Sequence, residues 1–317
     1  MSYKVINSTE ITETIPDDVE VLFCDNAVKL PEVLPKGLRI LHCDMAEQLP
    51  EMLPEKLKAL YCDSVTILPE VLPKGLKDLS CYSVTKLPKV LPEELEVLRC
   101  KSAVSLPTLP KSIMRLHCKS VIYLPEVLPK GLKFLSCNSV VELPEVLPEG
   151  LLRLSGDSVL QLPEELPNTL TWLQCGSCAT LPKVLPENLE KLFCRDAITL
   201  PEVLPEGLKV LYCDSVTSLP EVLPKGLKFL SCDSVLQLHE VLPNSLKALY
   251  CNKVNSLPEA LPEGLERLYC NSVVKLPEVL PDGLKFLQCG SSTQLPEVWP
   301  KDLMVLTPVS IKKIMTS

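Results

Sequence analysis

"LPEVLPKGLKFLSCDSV", residues 219–235, decides the reading of the fold, because close copies of it fill the chain on both sides. Its cysteine marks the period. Cysteines stand at Cys24, Cys43, Cys62, Cys81, Cys100, Cys118, Cys137, Cys175, Cys194, Cys213, Cys232, Cys251, Cys270 and Cys289, and Gly156 fills the one vacant slot. Thirteen of the steps are 19 residues long and one, from Cys100 to Cys118, is 18. A fixed period of this length is the signature of a repeat array, in which each unit buries its apolar face only against its neighbours.

Within one unit, "LKALYCDSVTILPEVLP" at 57–73, Leu60 and Cys62 lie two apart. On a strand they face the same way, into a core, while Ala59 and Tyr61 face out. Pro69 and Pro73 lack an N–H and fix φ near about −65°, so the return segment is extended, polyproline-like backbone rather than helix or central strand. Nearly all of the 31 prolines are punctuation of this kind. Turns at "CDSV" and at "KG" or "EG" close the unit. Gly37, Gly75, Gly131, Gly150, Gly207, Gly226, Gly264 and Gly283 precede the strand-leading leucine, where positive φ is expected to be favoured, although Lys56, Glu94 and Thr169 hold the same slot. Stacked units give a curved solenoid, with a parallel β-sheet on the concave face and proline-rich segments on the convex face.

The repeat "LPxxLPxxLxxLxC" resembles the short leucine-rich repeat of bacterial effectors such as YopM and the IpaH proteins, roughly LPxLPxxLxxLxVxxNxLxxLP, from about residue 15 to 307. That resemblance implies a leucine-rich-repeat solenoid of about 19 residues per turn. It also implies a protein-binding role, as an effector in a host cytosol. Two departures stand out. The turn after the strand is short and lacks the family's asparagine, so Ser64, Ser83, Ser215 and Ser234 are expected to replace its hydrogen bonds. One extra residue usually separates the prolines, although "LPTLP" at 106–110 keeps the shorter spacing. The expected organisation is a degenerate first repeat at 1–18 (Val5, Ile11, Ile15, Pro16 and Val19 in register), an array at 19–307, and a short tail at 308–317. Leu303 and Leu306 begin a last strand that Pro308 breaks. The sequence after it is too short for the ligase domain of the IpaH proteins, so no ligase activity is expected.

Composition narrows the function. A formal charge of −8 lacks the basic surface that nucleic acid or an anionic membrane attracts. No apolar run approaches the roughly 18 residues of a membrane span, and "MSYKVINSTE" has no signal-like apolar core. Cysteines recurring once per repeat read as small core residues rather than a disulfide framework, which suits a reducing, cytoplasmic compartment.

Catalytic chemistry would show as a break in the pattern, and none concentrates nucleophile, base or metal ligands. His42 and His117 lie in distant units on the outer strand face, and His239 fills a proline slot; all three read as exposed polar substitutions. "CGSC" at Cys175–Cys178 has redox spacing, but both cysteines fall on core slots. The column Asp25, Asp44, Asp63, Asp214 and Asp233 lacks the glycine-rich loops of a calcium site and reads as solvated turns. The expectation is a non-enzyme without metal or cofactor.

The aromatics carry the functional signal. Positions one and three residues before the cysteine slot hold Phe23, Phe134, Phe193, Phe229, Phe286, Tyr61, Tyr212, Tyr250, Tyr269 and Trp172, ten of 14 aromatics. Strand propensity accounts for part of this bias, but not for placing rings together on an outward face, which marks an interaction surface. Arg99, Lys101, Arg115, His117, Lys119 and Arg153 form a basic island over four successive units on the same face. The leading expectation is a scaffold that binds a protein partner through the concave sheet, with neither nucleic acid nor membrane as partner. A second is a carbohydrate or glycolipid recognition module that uses the rings as stacking platforms. A third, a plain spacer, needs no aromatic bias.

Overall fold

The computed structural model describes residues 2–11, 14–307 and 310–313. The chain divides into two compact units, Met1–Asp157 and Ser158–Ser317. In the first, nine strands pair in parallel in chain order: β1 (Tyr3–Val5), β2 (Val21–Phe23), β3 (Ile40–His42), β4 (Ala59–Tyr61), β5 (Asp78–Ser80), β6 (Val97–Arg99), β7 (Arg115–His117), β8 (Phe134–Ser136) and β9 (Arg153–Ser155). In the second, β10 (Trp172–Gln174), β11 (Lys191–Phe193), β12 (Val210–Tyr212), β13 (Phe229–Ser231), β14 (Ala248–Tyr250), β15 (Arg267–Cys270), β16 (Phe286–Cys289) and β17 (Met304–Thr307) run parallel. There β18 (Ser310–Lys313) turns back antiparallel on β17. Pro308, expected to break the last strand, lies outside the described residues.

Each turn buries the same pattern. In the turn that starts at Leu57, the side chains of Leu57, Leu60, Cys62 and Val65 are fully enclosed, and Leu68 and Leu72 nearly so. Burial stabilises each of the larger side chains by about 1.5–3 kcal/mol. The partners are residues of the turns above and below, so the interfaces between turns hold each unit together. Two tight turns repeat with them. Val65 N–H donates to the Cys62 carbonyl (3.2 Å) and Leu76 N–H to the Pro73 carbonyl (3.0 Å).

The second of these turns explains the glycine slot differently from the expectation. No described glycine has positive φ. A Pro-x-x-Leu turn closed by that bond accepts any residue at its third position, which is why Lys56, Glu94 and Thr169 serve there. Gly37 has its own reason, since a Cβ there would meet the Asp17 carbonyl oxygen at 2.6 Å. The positive φ falls instead on Asp302, at 62°.

The ends keep the pattern with shifts. In the first turn Ile6, not Val5, takes the cysteine's place: it is buried, and its N–H donates to the Phe23 carbonyl (2.8 Å) as Cys24 N–H does to that of His42 (2.8 Å). Val5 is 53% exposed, opposite Phe23. In β17 the core residue is Val305, opposite Leu287, which leaves Leu306 on the outer face opposite Gln288. The 18-residue step arises in the proline return, where "LPTLP" drops a residue while Leu98 and Leu116 stay opposite each other.

Candidate binding face

Residues on either side of each buried strand leucine point away from the core, and in the second unit their rings form one continuous stack. Trp172, Phe193, Tyr212, Phe229, Tyr250, Tyr269 and Phe286 follow one another with ring centroids 5.2, 4.8, 4.5, 5.1, 4.0 and 5.1 Å apart. The spacing is the strand spacing of about 4.8 Å. The stack changes column without breaking. Phe193 lies opposite Tyr212, and Tyr250 opposite Tyr269. Tyr212–Phe229 and Phe229–Tyr250 meet diagonally past a small residue straight across, Ser231 opposite Tyr212 and Ala248 opposite Phe229, and the end pairs Trp172–Phe193 and Tyr269–Phe286 are diagonal past Lys191 and Gln288. Mutual stacking leaves all seven half-buried, with their edges outward. Burial first, then the neighbouring Tyr269 hydroxyl, pushes the Tyr250 hydroxyl up to about 12.

The first unit carries a shorter stack that the sequence reading missed. His42 is not an isolated polar substitution but half-buried between two rings, Phe23 at 4.7 Å and Tyr61 at 4.2 Å. From there the column turns polar. The Tyr61 hydroxyl donates to Asp78 Oδ2 (3.2 Å), and Arg99 Nη1 donates to Asp78 Oδ1 (2.6 Å). Arg99 lies opposite His117, and Arg115 opposite Phe134, which in turn lies opposite Arg153. The guanidinium carbons of Arg115 and Arg153 stand 5.1 and 5.8 Å from the Phe134 ring centre. His117 too is half-buried rather than exposed. Burial first, then Arg99, Arg115, Lys101 and Lys119, holds its pKa below the ordinary range. The structure thus brings together the basic island on β6–β9, and it joins seven of the ten outward aromatics, from Trp172 to Phe286, in one stack.

Two ladders support this face. All fifteen cysteines are buried. The carbonyl ahead of the next cysteine slot accepts from both the N–H and the thiol of the cysteine: His42 O receives Cys24 N–H (2.8 Å) and Sγ (3.2 Å), and Ser231 O receives Cys213 N–H (2.8 Å) and Sγ (3.3 Å). Burial pushes the thiols of Cys24, Cys100, Cys137, Cys194 and Cys270 up to about 12. At "CGSC", the Cys178 thiol and burial together push the Cys175 thiol up.

The second ladder belongs to the residue directly after the cysteine, not to the serines expected to supply it. Asp63 Oδ1 accepts from Ser80 Oγ (2.7 Å) and from Tyr82 N–H (3.3 Å). Asp233 Oδ1 accepts from Asn252 N–H (3.1 Å) and Nδ2 (2.9 Å), and Asn252 Oδ1 repeats this toward Asn271 (3.4 and 2.8 Å). The aspartate column therefore bridges neighbouring turns, and the signal for it was its Asp/Asn alternation. Among the described residues no group of three or more His, Cys, Asp or Glu is arranged to hold a metal ion.

The opposite, proline face carries an apolar column that the sequence reading passed over. The valine of "LPEVLP" is exposed in turn after turn, for example Val71 (79%), Val203 (78%) and Val279 (78%). Shallow grooves run between successive return segments, as between Leu181–Leu185 and Thr199–Glu206.

No family model matches the chain, and no curated protein matches it. Solved structures do. YopM from Yersinia enterocolitica WA-314 is 23% identical over 97% of this chain and 91% of its own, with a TM-score of 0.57. The functional domain of InlJ from Listeria monocytogenes, described as including a cysteine ladder, is 22% identical over 80% of this chain and 63% of its own, with a TM-score of 0.71. YopM from Yersinia pestis, described as a leucine-rich effector protein, is 24% identical over 95% and 80%, with a TM-score of 0.54. The fold is that of leucine-rich-repeat proteins.

Proposed function

We propose that the protein is a non-enzymatic scaffold that binds a protein partner on the outward face of its sheet, with Phe23, Tyr61, Arg99, Arg115, His117, Phe134, Arg153 and the rings from Trp172 to Phe286 as contact residues. The observation that carries this reading is the uninterrupted seven-ring stack on β10–β16. Pre-ordered rings lose little entropy on docking, and aromatic residues dominate interface energies. The stack also separates this reading from sugar recognition, which needs free ring faces. Here the faces of Phe193, Tyr212, Phe229, Tyr250 and Tyr269 are taken by neighbouring rings on both sides, and ring edges remain.

The likeness to YopM extends the proposal to an effector acting in a host cytosol, and the buried thiols fit a reducing compartment. Among the described residues no helix is long and apolar enough to cross a membrane. A pull-down from cytosol with the wild-type chain and with Tyr250→Ala/Tyr269→Ala tests the reading, beside a glycan array on the same protein. Proteins retained by the wild type and lost from the variant support it. Equal retention by both, or glycan binding alone, refutes it.

A further inference from the structure

We infer that β6–β9 form an oxyanion site that takes an acidic segment of the protein partner, through carboxylate or phosphorylated side chains; this rests on the reading that partners dock on the outward sheet face. Outward positions on these strands and directly after them hold Arg99, Lys101, Arg115, His117, Lys119 and Arg153. The one carboxylate at an equivalent position, Asp157, accepts from Asn138 Nδ2 (2.5 Å). In a chain of 40 acids and 32 bases, such a cluster runs against the composition.

Two of the cations, Arg115 and Lys119, are not used up by the fold. Arg99 pairs with Asp78 and Lys101 stacks on Tyr82 at 3.4 Å, but neither Arg115 nor Lys119 has a carboxylate partner among the described residues. Arg115 and Arg153 lie over the Phe134 ring. For Arg115 that contact engages the guanidinium face and leaves its N–H edge for a bidentate oxyanion. After burial, the charges of Arg99, Arg115, Lys101 and Lys119 also lower the pKa of His117. The Ser155 hydroxyl adds a donor on β9.

The size of the patch sets the kind of ligand. Three strand spacings make about 14 Å, room for two or three anionic side chains of a peptide. A nucleic acid long enough to bind through counterion release would run off the patch onto a protein of net charge −8.

The test uses the full chain and three fluorescein-labelled decapeptides: one rich in Asp and Glu, one with phosphoserines in their place, and one with Asn and Gln. Anisotropy at low salt should show binding of the first two and none of the third. Arg115→Gln/Lys119→Gln should weaken it at least tenfold with an unchanged circular dichroism spectrum, and Glu70→Gln/Glu221→Gln on the proline face should leave it unchanged. The bound peptide should also raise the pKa of His117, read from its ring proton resonances. The tighter of the two acidic peptides identifies carboxylate or phosphoryl as the source. Absence of binding at millimolar peptide, indifference to the Arg115/Lys119 variant, or tighter binding of a single-stranded RNA decamer would overturn the site. Such a result would leave the ring stack, assayed through Tyr250 and Tyr269, unaffected.

Discussion

Tyr250 and Tyr269 face each other from directly opposed positions on β14 and β15, ring centroids 4.0 Å apart and planes within 11°. After burial, the Tyr269 hydroxyl of this closest pair also raises the pKa of Tyr250. The two rings therefore act on stability and on recognition together, and the two effects can be measured separately.

Replacing both tyrosines by alanine removes three ring contacts, Phe229–Tyr250, Tyr250–Tyr269 and Tyr269–Phe286, each worth about 0.5–1.5 kcal/mol beyond burial. A loss in melting temperature is expected, with the same strand content. Partner binding should fall by about 2 kcal/mol per ring. Glu70→Gln and Glu221→Gln, on the proline face, should change binding little. Calorimetry with the captured partner checks the ranking, and the reverse order would return the rings to a purely structural role.

Leu230 is fully enclosed at the centre of β13. Leu230→Ala should cost about 2–5 kcal/mol through the cavity it leaves. Leu230→Asp should cost more, because an unpaired carboxylate replaces it, and the damage should extend to the adjoining turns. Chemical denaturation measures both; an unchanged midpoint for the aspartate variant would contradict the buried position.

The thiols set an upper pH limit. Burial holds Cys24, Cys100, Cys137, Cys194 and Cys270 near 12 against an ordinary value of 9.0. The unfolded chain releases these protons above pH 9 and the folded chain keeps them, so their contribution is complete below pH 9 and is lost between 9 and 12. Each thiol costs about 1.4 kcal/mol per pH unit in that window, so five of them exhaust a typical domain's margin within about two units. Circular dichroism against pH should show cooperative unfolding there, with thiol-reagent uptake rising at the same pH. Rapid thiol labelling at pH 7, or a chain still folded at pH 12, would count against it.

Asp63 and Ser64 separate the two candidates for the turn ladder. Asp63→Ala removes the acceptor of Ser80 Oγ and of Tyr82 N–H and should cost about 1–3 kcal/mol. Ser64→Ala should stay within about 0.5 kcal/mol. A larger loss for the serine variant in thermal melts would reinstate the hydroxyl ladder.

What the sequence made legible follows from how often each constraint recurs. Leu60, Cys62, Pro69 and Pro73 obey period-2 and proline rules repeated in nearly every turn, so the core, the parallel strands and the extended return could be read without a structure. The ring stack was legible in outline because its members keep to two positions per strand. It took coordinates to show that Tyr212 and Phe229 meet across a diagonal opened by Ser231, and that His42 belongs with Phe23 and Tyr61. Both depend on side-chain reach between strands, which no single-strand pattern encodes. The glycine slot misled for the opposite reason. A residue favoured by composition suggested a backbone requirement that the Pro73–Leu76 turn does not impose.

The 18-residue step has a consequence for ancestry. Between Cys100 and Cys118 a residue is missing from the outer return, yet Leu98 and Leu116 keep the same register as every other pair in the unit. Length errors are thus absorbed on the proline side, while the strand side behaves as a lattice that admits only whole steps. A gene of this kind can drift by small indels in its proline codons, but its strands can be gained or lost only one complete copy at a time. Near relatives should accordingly differ in how many sentences they contain more than in how each sentence is spelled.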